Sequence, residues 1–132
     1  MPLEPERRDF VRVAADIIVR YRFRSVPRKD ADATDKVLSG ATTNLSGGGL
    51  LLRGPIPEIS IVTQLVTGKA TLDVELTLPS DPRPIMAKAR CAWVETVEEE
   101  TLRCHLGLRF TEITAEDKER IFRYVIRVQM PV

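Results

Sequence analysis

Apolar and polar side chains alternate one for one along most of this chain, the period of a strand with one buried face. Ile17, Val19, Tyr21 and Phe23 alternate with Ile18, Arg20, Arg22 and Arg24, which predicts a first strand with an arginine-bearing outer face. A second strand is expected over 37–43, feeding a polar turn at Asn44, and a third over 49–53, broken by Gly54-Pro55-Ile56-Pro57. Leu72, Val74, Leu76 and Leu78 mark the next strand, and three prolines between Pro79 and Pro84 force a turn after it. Ile85, Ala87, Ala89, Cys91 and Trp93 then define an inner face, and an acidic hairpin loop is expected over 95–101. Leu102, Cys104, Leu106, Leu108 and Phe110 define the inner face of the last strand.

The period changes only at the end. Thr114-Ala115-Glu116-Asp117 resembles a capping box with Asp in place of Glu, and Ile121, Phe122, Val125 and Ile126 recur at helical spacing. One amphipathic helix over about 115–129 follows. The polar run 28–36 reads as a connecting loop, and 58–69 as either a short helical turn or an extra strand. Six or seven hairpin-connected strands and a terminal helix suit a sheet that closes on itself and is plugged at one end.

With 132 residues, 43% hydrophobic and 30% charged, the chain is expected to fold as a single domain spanning 1–132. A net charge of +1 argues against a DNA or RNA binder acting through bulk electrostatics. No apolar run is long enough for a transmembrane helix, so no membrane insertion is expected. The opening Met-Pro-Leu-Glu-Pro-Glu lacks the features of a signal peptide, and a cytoplasmic location is expected. Cys91 and Cys104, on the apolar side of their strands, read as reduced structural thiols. Cys104 and His105 would face opposite ways with no fourth ligand available, so no metal site is expected. One histidine, no nucleophile–base pair and no Walker pattern argue against an enzyme.

Charge is uneven: through Arg28 there are seven arginines against four acids. Arg7-Arg8-Asp9-Phe10-Val11-Arg12 sets a doublet four residues before a further arginine, and Asn44-Leu45-Ser46-Gly47-Gly48-Gly49 sets a polar, glycine-rich turn about thirty residues later. Guanidinium forks suit phosphate oxygens and the O6/N7 edge of guanine. Small donors and acceptors beside glycines allow close approach to a ligand.

These motifs resemble the RxxxR and [D/N]xSxxG signatures of PilZ domains, bacterial receptors for cyclic di-GMP. Arg8 and Arg12 match the first, and Asn44, Ser46 and Gly49 match the second; Leu106-Gly107-Leu108-Arg109-Phe110 is similar to the family's final strand. The resemblance runs from about Glu6 to Gln129. It implies a mainly β fold, a six-stranded antiparallel split β-barrel (about 13–112) with a C-terminal α-helix and an N-terminal arm (about 1–12).

By that resemblance Arg8 and Arg12 contact guanine and phosphate, Asn44 and Ser46 meet base or phosphate, and Gly49 leaves room for the ligand or takes an unusual φ. Arg7, placed just before RxxxR, implies an intercalated dinucleotide dimer. Trp93 and Gly48 are further candidate contacts. Set against these roles are plainer ones: core packing for Trp93 and turn geometry for Gly47 and Gly48. The implied function is a cyclic di-GMP receptor that orders its arginine arm on the nucleotide and signals to an unknown protein effector, as a monomer or weak dimer without a cofactor. The alternative is a PilZ-like adaptor that binds protein and no nucleotide. A basic-faced nucleic-acid barrel is a third reading, opposed by Tyr21 and Phe23 pointing into the core.

Overall fold

The computed structural model describes residues 16–25, 36–79 and 81–129. Its strands are β1 (Ile17–Ser25), β2 (Leu38–Thr42), β3 (Leu45–Ser46), β4 (Gly49–Pro55), β5 (Ala70–Leu76), β6 (Ile85–Glu98) and β7 (Arg103–Glu112). Its helices are α1 (Ile61–Val66) and α2 (Ala115–Gln129). Strands run in the order β2-β1-β5-β6-β7-β4-β3, each antiparallel to its neighbours, and β2 also pairs with β4 through Ala41 and Arg53. That last pairing closes six strands into a barrel. The two residues of β3 extend beyond it as a short hairpin arm on β4.

The alternation read from the sequence becomes the wall. Ile17, Val19, Tyr21 and Phe23 of β1 and Leu72, Val74 and Leu76 of β5 all point into one core with Leu52, Ile85, Ala89, Leu106 and Leu108. Tyr21 and Phe23 meet edge to face at 5.7 Å. The Tyr21 hydroxyl donates to the Pro55 carbonyl, and burial pushes its phenol pKa up, so that the proton is retained for this bond.

Both ends of the barrel are stoppered. The segment left open at 58–69 contains α1, which joins the end of β4 to the start of β5 and buries Ile61 and Leu65. At the other end α2 follows β7. Its first turn is capped by Thr114 Oγ1, which accepts the Asp117 N–H at 3.1 Å. The Asp117 carboxylate does not complete the capping box in the expected way; it accepts from Arg120 at 2.8 Å. Arg120, 8% exposed, also reaches Asp81 (3.0 Å) and the Arg83 carbonyl (2.6 Å), tying α2 to the β5–β6 turn.

Three details depart from the sequence reading. β4 runs through Gly54 and Pro55, paired with Cys104 and Arg103; a proline is tolerated there because it is the strand's last residue. β6 continues to Glu98, so the acidic residues form strand as well as turn. On α2, Ile121, Tyr124 and Val125 face the barrel, whereas Phe122 (58% exposed) and Ile126 (38%) face outward.

Candidate functional site

The polar turn begins with a register change. β2 pairs with β4 at Ala41–Arg53, but β3 pairs with it at Leu45–Leu50, so the first strand carries one extra residue between the two. Thr42, fully buried, pins this bulge: its hydroxyl accepts the Asn44 N–H at 3.0 Å and donates to the Asn44 carbonyl at 3.1 Å. With its backbone held on both sides, Asn44 turns an exposed side-chain amide outward, with no partner among the described residues.

The hairpin tip is held from within. Ser46 Oγ accepts the Gly48 N–H at 3.2 Å, and the Gly48 carbonyl accepts the Phe110 N–H at 2.8 Å, which staples the tip to β7. Gly49 lies directly on β7, and a Cβ there would strike the Leu108 carbonyl. Of the two reasons expected for a glycine here, room for a ligand and an unusual φ, the second does not apply. Among the described residues the only positive-φ glycine is Gly68, so position 49 is set by close approach of the chain's own backbone.

Trp93 also departs from expectation. In strict alternation with Ala89 and Cys91 it would enter the core, but it is 57% exposed. Register shifts between Cys91 and Trp93, and again between Val94 and Thr96, reverse the side-chain phase of β6. The Cys91 thiol donates to the Trp93 carbonyl at 3.2 Å across the first irregularity. The indole then lies over Gly107, the residue opposite it, where any Cβ would collide with the ring.

These features meet in one open cleft of about 470 Å³, lined by Asn44, Ser46, Gly48, Gly49, Trp93 and Arg109 together with Leu50, Leu51, Ala92, Leu108 and Phe110. The volume is that of a small-molecule site. Every candidate contact that falls within the described residues is in it. Arg7, Arg8 and Arg12 lie outside the described residues. The sequence reading overlooked Arg109, which is exposed, opposite Gly49 in register, and without an ion pair among the described residues. Its signal was its place in Leu106-Gly107-Leu108-Arg109-Phe110, on the same outward phase as Gly107. Thr42 was overlooked too; nothing in a single threonine marks it as a brace.

The cleft offers an aromatic face, a partly engaged hydroxyl, and a carboxamide and a guanidinium without partners among the described residues. Such a set can stack a planar base, pair with its edge and hold an anion. It offers no nucleophile–base pair. The thiols are poorly suited as nucleophiles: burial, then the neighbouring Cys91, pushes Cys104 up to about 12, and burial raises Cys91. Among the described residues no group of three or more His, Cys, Asp or Glu is arranged to hold a metal.

A family model described as "PilZ domain" matches residues 6–127. The chain belongs to the PilZ family. PilZ domains are binding and adaptor modules, and the family is that of cyclic di-GMP receptors. Among solved structures, the PilZ fold of this chain resembles the Bacillus subtilis inhibitor of motility MotI/DgrA, with 18% identity and a TM-score of 0.57. The match covers 88% of this chain and 48% of that one, so this PilZ chain spans about half the length of that structure. No curated protein matches. No helix among the described residues is long and apolar enough to cross a membrane.

Proposed function

We propose that this PilZ domain is a cytoplasmic receptor for cyclic di-GMP, bound in the cleft at Asn44, Ser46 and Arg109 and closed over by the arm that carries Arg8 and Arg12. One observation carries the reading. Residues as far apart in sequence as Asn44, Ser46, Trp93 and Arg109 converge on one cleft, and their side chains match a guanine nucleotide bearing phosphates. Trp93 stacks on a base, Asn44 pairs with an edge, and Arg109 faces a phosphate or the guanine O6/N7 edge.

The position of β1 supports the role of the arm. Ile17 pairs with Thr42, two residues from Asn44, so β1 begins at the rim that bears the cleft. Asp16 there forms an ion pair with Arg53 at 3.3 Å. Arg12 lies five residues before Ile17, a reach of at most about 17 Å. Binding neutralises several arginines at once and fixes the arm, which gives a protein effector a changed surface to read.

Titration calorimetry with cyclic di-GMP, with GTP as control, tests this reading. Selective binding that is lost in Arg8→Ala and Arg12→Ala, with the fold intact, is expected. Trp93 is the sole tryptophan, so its fluorescence should change over the same titration. A ratio near two nucleotides per chain that falls in Arg7→Leu identifies an intercalated dimer, whereas a ratio near one discards it. A folded sample that gives neither heat nor a change in Trp93 emission would reject the receptor in favour of the nucleotide-free adaptor.

A further inference from the structure

The row of residues that carries the cleft does not end at Arg109. Ser46 pairs with Gly49, Gly49 with Arg109, and Arg109 with Arg90, so one row of outward positions crosses β3, β4, β7 and β6. Residues in such a row share a face, about 4.8 Å apart from strand to strand. Arg90 extends the row by one strand beyond Arg109, close in sequence to Ala92 and Trp93, which line the cleft.

Arg90 and Arg109 are like charges set directly opposite each other, an arrangement that disfavours the free fold. Both are exposed, and neither has an ion pair or hydrogen bond among the described residues. The carboxylates nearby answer to other cations. Asp73 accepts from Arg24 at 2.7 Å and lies 3.5 Å from Lys88. Glu112, the next acid along β7, stands opposite Lys88. Over this patch Arg24, Lys88, Arg90 and Arg109 face Asp73 and Glu112, and the excess positive charge falls on the arginine pair. On the cleft side the row is bare: Gly49 carries no side chain, and the Trp93 indole covers Gly107, next but one to Arg109. A ligand lying on the indole can reach both guanidinium groups from the solvent side.

We infer that Arg90 and Arg109 form a two-arginine clamp on one phosphate of the bound nucleotide, and that Arg90 selects for a ligand whose phosphate lies beyond the base stacked on Trp93. The inference rests on the cleft being a nucleotide site, as proposed above. Two planar forks can each donate to the free oxygens of one phosphodiester, and its negative charge removes the repulsion that opposes the pair in the free protein. Asn44 and Trp93 then read the base, while the arginine pair reads the phosphate. A neutral nucleoside satisfies the first and not the second.

Two probes separate the clamp from the site that it serves. One is cyclic di-GMP in calorimetry; the other is inorganic pyrophosphate, followed by the arginine Nε–H resonances of the isotope-labelled full chain. Arg90→Gln should lower cyclic di-GMP affinity about tenfold and make its salt dependence shallower, with amide resonances away from β6 and β7 unchanged. Arg90→Lys, which keeps the charge but not the fork, should recover only part of that loss. Arg20→Gln removes an exposed cation from β1 and should leave affinity within about twofold, because a distant surface charge is screened. In the wild-type chain pyrophosphate should shift the Nε–H resonances of Arg90 and Arg109 together, and Arg90→Gln should remove the shift at Arg109. If wild type fails to bind cyclic di-GMP while pyrophosphate moves both resonances, the nucleotide reading falls and the paired arginines stand as a phosphate site. The clamp itself is overturned if Arg90→Gln binds cyclic di-GMP as wild type does, if Arg20→Gln loses as much as Arg90→Gln, or if pyrophosphate moves Arg109 alone or neither arginine.

Discussion

Arg120 and Arg109 carry the same side chain and stand at the same end of the barrel, yet they are used in opposite ways. Arg120 is buried at the root of α2, where two carboxylates and a carbonyl take up its guanidinium. Arg109 stands exposed in the cleft with no carboxylate beside it among the described residues. The surrounding structure is inverted in the same sense. At the α2 root, side chains hold side chains. In the cleft, the backbone is fixed by Thr42, by the Gly48–Phe110 bond and by the contact of Gly49 with β7, and the side chains of Asn44 and Arg109 have no hydrogen bond or ion pair among the described residues. Saturated polar groups mark an anchor, and unsaturated ones on a rigid frame mark a binding surface.

The strongest way to break this contrast is at the frame. Gly49→Ala places a methyl against the Leu108 carbonyl, and neither strand can move without disturbing the hairpin; a loss of about 3 kcal/mol is expected in urea unfolding. A stability equal to wild type would mean that the frame is soft. Arg120→Ala should follow at about 2 kcal/mol, with α2 the first element to lose protection in hydrogen exchange. Thr42→Val removes both bonds to Asn44 and should cost about 1–2 kcal/mol, with weaker cyclic di-GMP binding because Asn44 is no longer held.

Acid should separate the two regions as well. The Arg83 N–H, then Arg120, holds the Asp81 carboxyl below the usual carboxylate range, against some desolvation. A depressed folded pKa contributes stability that is fully present above the unfolded value of about 4 and is lost as pH falls through the folded value. The α2 root should therefore loosen below about pH 4, followed by the Tyr124 environment or helix amide exchange. Asp81→Asn should flatten that acid limb, and a limb of unchanged slope would remove Asp81 from the account.

Much of the barrel was legible because strict alternation has one physical meaning: β1 and β5 bury the residues that the pattern assigns to the core. It failed where the backbone departs from period two. Trp93 was placed on the inner face as well as among the candidate contacts, because a bulge leaves no mark in the alternation of apolar residues, although Gly107 on the facing strand was a cue, since a strand glycine exposes backbone for an aromatic to cover. Phe122 and Ile126 lie at helical spacing, but spacing does not say which flank of the stripe meets the barrel. Asn44, Ser46 and Gly49 were legible as a motif, yet Gly49 is explained by the Leu108 carbonyl, a contact that only the closed sheet creates. Arg109 was visible as a residue and not as part of the site, because its neighbours in space come from β3 and β6.

The smallest expected change in stability, and the one that bears most directly on the comparison, belongs to Arg109→Gln. An exposed side chain without an ion pair among the described residues contributes little to folding, so unfolding free energy should stay within about 0.5 kcal/mol of wild type. The same substitution replaces a charged fork with a neutral amide, and a charge-assisted bond to phosphate or guanine accounts for roughly 1.5–3 kcal/mol, so cyclic di-GMP affinity should fall about tenfold or more in calorimetry. Arg120→Ala should show the reverse pattern, a large loss of stability with nucleotide affinity kept at temperatures where the variant is folded. If both substitutions moved stability and affinity together, the two arginines would belong to one network, and the separation between anchor and binding surface would be wrong.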